Sequence, residues 1–156
     1  MNVEIIVIMK TKICTSIEQS KKLIELGIDV NTADMVYQSV EDKYGNGEWE
    51  SIPRNNSLNI GYDDDIPAWS LTALLKLIKS EIYGKTIYGD IITYKVDFRK
   101  YKLTNDVDLY QIAYGSIKFD VDGQYSFTDM INTGQKEDPI DAAFQMVCWL
   151  LENEKI

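Results

Sequence analysis

The order of its helical and strand-forming segments constrains the fold of this chain more than any other sequence feature. Residues 87–99 are rich in β-branched and aromatic side chains, and three shorter segments of the same kind follow: residues 109–114, 116–121 and 124–128. A turn at Asp122-Gly123 fits between the last two as a β-hairpin. Strands grouped in this way, with helices before and after them, favour an antiparallel sheet over alternating βαβ units.

Three helices are predicted from the residues at their ends. The first follows residues 15–18, which have the spacing of a capping box, and Gly27 is placed to end it in the left-handed conformation. The second begins near Ser70. The third has a capping Asp138 with Pro139 in the first helical position, and apolar residues recur at helical spacing after it.

Length and composition agree with one folded unit, because 156 residues with 45% hydrophobic side chains can bury a substantial core. We predict a single globular domain over residues 1–156 with an α+β fold. Its antiparallel sheet of about four to five strands, with residues 35–40 as a further candidate strand, is packed by two or three helices. Residues 1–8 are either an extension or a buried strand. The two cysteines, Cys14 and Cys148, lie in apolar stretches typical of reduced thiols, so we expect a cytoplasmic protein.

Charge and the absence of histidine narrow the functional classes. A net charge of −9, from 16 basic and 25 acidic residues, opposes binding to duplex nucleic acid. No apolar run approaches the roughly 20 residues of a membrane-spanning helix, so no membrane partner is expected. Without histidine, a Ser-His-Asp triad, a Cys-His pair and a histidine-based metal site are excluded. We expect no cofactor and no metal, and a non-enzymatic protein is favoured over an enzyme.

Residues 41–67 form the most acidic segment, with seven acidic and two basic residues among several glycines and prolines. This composition predicts either a long solvated loop or a binding segment, since structureless loops of that length are uncommon without a function. Trp49 is the tryptophan best placed to anchor a partner. The run Asp63-Asp64-Asp65 is either a solvated acidic stretch, which we favour, or part of a partner-binding surface or a site for a hard cation.

Tyrosine and basic residues are concentrated in the strand region. Seven of the ten tyrosines lie between residues 83 and 125, around the basic residues of segment 95–102. Aromatic faces beside cations can hold a nucleotide-like anion, and the best candidates are Tyr94, Arg99, Lys100 and Tyr101. The alternative is an ordinary sheet with lysines on its solvent face. Gly84-Lys85-Thr86 lacks the other glycine of a phosphate loop and predicts a turn from helix to strand.

Two segments resemble a known group of proteins. The sequence IPAWSLTALL at residues 66–75, and DPIDAA at residues 138–143 with Trp149-Leu150 after it, are similar to segments of small proteins from gut Bacteroidetes and their phages. The initial helix followed by Gly27-Ile28 fits the same pattern, whereas residues 115–125 look like an insertion. The resemblance implies an accessory protein of the bacterial cytosol, encoded by a phage or mobile element, and it supplies no catalytic residues.

Two functional hypotheses follow from the sequence. The first is a non-enzymatic interaction protein that binds another macromolecule, most simply a protein, through segment 41–67 or the outer face of the sheet. The second is a small-ligand protein that binds or sequesters a nucleotide-like anion through the tyrosine-rich basic segment. A pocket that unites those basic and aromatic side chains would favour the second hypothesis.

Overall fold

The computed structural model describes residues 12–41, 45, 47–53, 65–103 and 106–156. Its helices are α1 (Ile17–Glu25), α2 (Leu71–Leu77) and α3 (Pro139–Glu152), and a 3-10 turn covers Val30–Thr32. The strands in this part of the chain are β1 (Met35–Glu41), β2 (Gly47–Pro53), β3 (Ile66–Ala68), β4 (Glu81–Lys85), β5 (Ile91–Lys102), β6 (Asp108–Phe119) and β7 (Tyr125–Asn132). The strand considered for residues 1–8 lies outside the described residues.

The ends of α1 are set by local hydrogen bonds. Ser16 caps the helix by accepting from the backbone N–H of Gln19, and the Gln19 side chain accepts from the backbone N–H of Ser16. The capping box therefore starts one residue later than predicted, because the Thr15 hydroxyl is buried in a bond with Ser20. Gly27 ends the helix with a φ of +87°, which confirms the predicted left-handed conformation.

The other two helices begin as predicted. Ser70 caps α2 by accepting from the backbone N–H of Ala73, and its own hydroxyl donates to Asp34. Asp138 caps α3 by accepting from the backbone N–H of Ile140, with Pro139 in the first turn. Both starts were predictable because a cap depends on residues only two or three positions apart.

The strands form two antiparallel sheets, which confirms the predicted α+β fold. Sheet A has the order β2-β1-β3, and sheet B has the order β4-β5-β6-β7. The sequence predicted one sheet of about four to five strands, so the second sheet is an addition. It was missed because β2 and the first two residues of β3 lie within segment 41–67.

The prediction of a loop over residues 41–67 is wrong for β2 and for the start of β3. Residues of β2 pair with β1 from Met35↔Pro53 to Glu41↔Gly47. Strand β2 carries Glu48 and Glu50 and is largely exposed, so its sequence shows little alternation of apolar and polar residues. Backbone hydrogen bonds to β1, rather than burial, therefore define β2.

Sheet B also differs in detail from the predicted strands. Gly84 and Lys85 lie within β4, and the turn comes later, where Gly89 has a φ of +86°. The two strands expected at 109–114 and 116–121 are one continuous strand, β6, because a bulge between Tyr114 and Gly115 shifts its register against β7 without ending it. The hairpin at Asp122-Gly123 is confirmed by the pair Phe119↔Tyr125.

The core lies where α3 packs on one face of sheet B. Helix α3 contacts β6 and α2, and its buried side chains include Ile140, Val147 and Leu150. They share one cluster with buried residues of the other elements: Leu23, Leu74, Ile82, Ile112 and Tyr114. Burial raises the pKa of Tyr114 to about 12, and its hydroxyl donates to the carbonyl oxygen of Lys79, so the buried phenol has a partner.

Trp69, the residue after β3, is hydrogen-bonded to Thr15 and Thr32. Its side chain is fully buried, and its backbone carbonyl accepts from the N–H of Thr15 over 2.9 Å. The Trp69 backbone N–H donates to the Thr15 hydroxyl, and the indole Nε1 donates to the Thr32 hydroxyl over 2.9 Å. A buried indole is favourable only when its N–H is satisfied, so Thr32 has a structural role.

Replacing Thr32 by valine should therefore cost about 1–3 kcal/mol of unfolding free energy, because the buried indole N–H loses its acceptor. Thr32→Ser is the matched control, since it keeps the hydroxyl that also donates to the Asp29 carbonyl oxygen. Urea denaturation followed by tryptophan fluorescence measures both variants. Equal losses for valine and serine would show that the Trp69 bond contributes nothing to stability.

Candidate interaction surface

The four candidate residues for anion binding do not share one face of sheet B. Successive side chains of a strand point to opposite faces, so Tyr94 and Lys100 lie on one face of β5 and Arg99 and Tyr101 on the other. Tyr94 is partly buried and packs against the core. Room for its ring depends on Gly84, where a Cβ would lie 2.8 Å from the Tyr94 Cε2 atom. The structure thus brings together only Arg99 and Tyr101.

Arg99 is held by two carboxylates on the outer face of sheet B. Its Nε donates to Asp97 over 2.7 Å, and its two terminal nitrogens donate to Asp129 over 2.7 and 3.0 Å. The guanidinium also lies 5.2 Å from the centre of the Phe127 ring. These hydrogen bonds, first from Asp129 and then from Asp97, raise the pKa of Arg99. A bound anion would have to displace both carboxylates.

Lys100 and Tyr101 are also engaged within the sheet. The Lys100 amine lies 3.1 Å from the Asp108 carboxylate, whose hydrogen bond raises the pKa of Lys100, and it sits over the Tyr110 ring. The Tyr101 hydroxyl donates to the Gln111 side-chain oxygen over 3.2 Å. Both contacts join neighbouring strands, so these side chains strengthen the sheet.

Gly115 marks the position where β6 changes neighbours. A Cβ at this position would collide with the Thr128 carbonyl oxygen and the Phe127 ring, so only glycine fits between β6 and β7 here. The pairing of β5 with β6 also ends here, at Lys95↔Gly115. Beyond this pair the sheet continues as two separate hairpins.

We name these hairpins arm A, residues 81–95, and arm B, residues 116–128. Arm A is the pairing of β4 with β5, and arm B is the distal part of β6 with β7. No pairing joins residues 91–94 to residues 116–119, so the arms are not hydrogen-bonded to each other as strands. Each arm is a two-stranded ribbon that extends the three-stranded base of sheet B.

Exposed apolar side chains are concentrated on these arms. Exposure reaches 92% for Ile87, 74% for Phe119 and 72% for Tyr125. The other exposed large apolar residues of the arms are Tyr83, Tyr88, Ile91, Ile117 and Val121. The sequence analysis named the outer face of the sheet as a binding surface but did not predict the exposed arms, since the same alternation of β-branched and aromatic residues is also typical of a strand that is covered on one face.

The candidate partner-binding residues of segment 41–67 are only partly described. Trp49 lies on β2 opposite Ser39 and is 45% exposed, so it is accessible to a partner. Asp65 is half-buried and accepts a long 3.4 Å bond from the Gln38 side chain. Asp63 and Asp64 lie outside the described residues. Trp49 and Asp65 thus contact neighbouring residues of β1, Ser39 and Gln38.

A cleft of about 420 Å³ lies between α3 and the end of β7, lined in part by Cys148, Trp149, Lys22 and Asn132. Burial raises the pKa of the Cys148 thiol to about 11, so this thiol is protonated at neutral pH and is a poor nucleophile. Cys14 and Cys148 are both buried and free. The Cys148 thiol therefore does not supply this cleft with an activated nucleophile.

No family model matches this chain, and no curated protein or solved structure matches it. The resemblance to proteins of gut Bacteroidetes and their phages stays a prediction. None of the helices in the described ranges is both long enough and apolar enough to cross a bilayer. The same residues include no group of three or more cysteines and carboxylates placed to hold a metal ion.

The bond to Arg99 makes the stability that Asp129 supplies depend on pH. Hydrogen bonds from Arg99 hold the pKa of Asp129 below its ordinary value of 3.8. This contribution is therefore complete above about pH 4 and is lost as the pH falls through the lowered pKa. Asp129→Asn should destabilise the protein by about 1 kcal/mol at pH 7, and by less at pH 3.

Urea midpoints of the wild type and the variant, measured from pH 7 to pH 3, test this expectation. Asp122→Asn is the control, because it removes one charge from an exposed turn of the same hairpin. A gap between wild type and Asp129→Asn that stays constant over the whole pH range would contradict the assigned ion pair.

Proposed function

We propose that this protein is a non-enzymatic interaction protein that binds another protein through arms A and B. The observation that carries the proposal is the exposure of large apolar side chains on both hairpins, among them Ile87, Tyr88, Phe119 and Tyr125. Within arm B the Phe119 and Tyr125 rings also contact each other, at 6.4 Å between their centres. Large exposed apolar patches are rare on monomeric proteins outside interaction sites. Aromatic side chains are also enriched at the energetic centres of interfaces.

The charges of the arms support a protein partner. Arm A has two acidic and two basic residues, and arm B has two acidic residues and one basic residue. Almost none of the net charge of −9 therefore lies on the arms. The nearly neutral arms therefore repel an acidic protein partner less than the strongly acidic remainder of the chain does.

The rival hypothesis of an anion-binding site has less support. It relied on Arg99 and Lys100 as free cations, and each of them is paired with a carboxylate. Tyr94 faces the core and not the outer surface with Arg99. A nucleotide-like ligand remains a hypothesis without an assembled site among the described residues.

We place the protein in the bacterial cytosol, encoded by a phage or mobile element. This setting rests only on the resemblance of residues 66–75 and 138–143 to proteins of gut Bacteroidetes and their phages. The partner is then a protein of the same bacterial cell. Trp49, which is accessible on β2, is a second candidate contact outside the arms.

Photo-crosslinking tests the assignment of the arms. A photo-reactive amino acid at Tyr88 or Phe119 should give a discrete crosslinked adduct in a Bacteroidetes lysate. The same group at Lys21, which is exposed on α1, should give none. Substitutions at such exposed positions usually change stability by no more than about 0.5 kcal/mol, so the variants should remain folded. If Tyr88 and Phe119 give the same diffuse products as Lys21, the arms do not bind a partner.

A further inference from the structure

Exposed sheet edges pair readily with further strands unless a charge, a proline or another segment protects them. In sheet A, the edge strand β2 has exposed Glu48 and Glu50 and ends at Pro53. The other edge strand, β3, has three residues and includes Pro67. Both described edges of sheet A therefore have protective features.

The β4 edge of sheet B is protected by Lys155, which follows α3. The amine of Lys155 donates to the backbone carbonyl oxygen of Tyr83 over 2.9 Å. This bond occupies an acceptor that an added strand would need. A lysine beside an edge strand is also a common natural barrier to strand addition.

Of the two outer edge strands of sheet B, β7 lacks these protections. Strand β7 has eight residues and contains no proline and no lysine. Its only charged residue is Asp129, whose carboxylate is bound by Arg99. Antiparallel pairing with β6 uses alternate backbone groups, so the remaining ones point outward. Among the described residues, no backbone hydrogen bond from another segment reaches the outward groups of residues 125–129.

We propose that β7 of one molecule pairs antiparallel with β7 of a second copy, which makes the second copy the partner of arm B. This inference rests on the proposed function of the arms as binding surfaces. An antiparallel pair of identical strands is related by a two-fold axis, so every backbone group that one edge offers is matched by the other. The two sheets then continue through the dimer.

Side chains on the outer face fit this pairing. Tyr125 and Phe127 lie on the same face of β7 as Ile117 and Phe119 of β6, because directly paired residues share a face. A β7–β7 pair brings this apolar row against its own copy. In an antiparallel β7–β7 pair, Asp129 lies opposite Asp129 of the second copy only when the two-fold axis passes between these two residues. In every other register it lies opposite a different residue. No like-charged pair therefore has to meet across the interface.

Electrostatics distinguishes a second copy from a basic partner. Each molecule has a net charge of −9, so two copies repel each other at a distance. Added salt screens this repulsion, and the dimer should become tighter as ionic strength rises. A complex with a basic protein would become weaker under the same change.

Sedimentation equilibrium of the purified chain, from micromolar to millimolar concentration, tests the proposal. We expect a monomer–dimer equilibrium that shifts toward the dimer between about 0.05 and about 0.5 M sodium chloride, over which the Debye length falls from about 14 Å to about 4 Å. Tyr125→Lys should raise the dissociation constant at least tenfold, since it places an edge lysine in each copy. Ile13→Lys, at an exposed apolar residue outside both arms, is the matched control and should leave the dimer unchanged. Tyr88→Lys tests arm A in the same way.

Thr128→Lys gives a second edge variant on the opposite face of β7, and it carries the test if Tyr125→Lys lowers the urea midpoint. A monomer at millimolar concentration and high salt would overturn the proposal. A dimer that is lost in Tyr88→Lys but kept in both edge variants would overturn it as well. In either case, a crosslinked adduct with a different protein at Tyr88 would leave the proposed function intact.

Discussion

The packing of α3 against β6 determines which part of sheet B is buried and which part is exposed to water. Helix α3 has 14 residues, so it is about 21 Å long, whereas β5 and β6 have 12 residues each and extend about 40 Å. One helix of this length cannot cover such strands from end to end. The base of sheet B is therefore buried on one face. Ile82 and Tyr94 of arm A still pack against the core, whereas most of the other large apolar side chains of arms A and B are exposed to water.

The transition from covered sheet to exposed arms coincides with a cluster of specific contacts. Pairing of β5 with β6 ends at Lys95↔Gly115, and Gly115 lets the Phe127 ring pass close to the β6 backbone. Arg99 then spans from β5 to Asp129 on β7 and stacks on that ring. These contacts tie three strands together near the point where the pairing of β5 with β6 ends. The basic residue that sequence reasoning assigned to a ligand is used to hold the base of the arms.

Features that depend on short-range chemistry were predictable from the sequence. The caps Ser70 and Asp138 and the hairpin at Asp122-Gly123 each involve a few neighbouring residues. Strand β2 was missed because its pairing with β1 specifies it, while its own sequence is charged and exposed. The engagement of Arg99 was missed because Asp129 lies 30 residues away in the chain. The exposure of the arms was not predicted for a similar reason, because it depends on how much of sheet B the helices cover.

The acidic composition affects how readily a protein with such exposed hairpins associates with other molecules. A protein with an unprotected strand edge and apolar hairpins is prone to unspecific association. A net charge of −9 opposes this association, because molecules repel each other before short-range contacts form. The arms have almost no net charge, so they add little to this repulsion where apolar side chains are exposed. They therefore oppose the approach of an acidic partner, a second copy included, less than the strongly acidic parts of the molecule do.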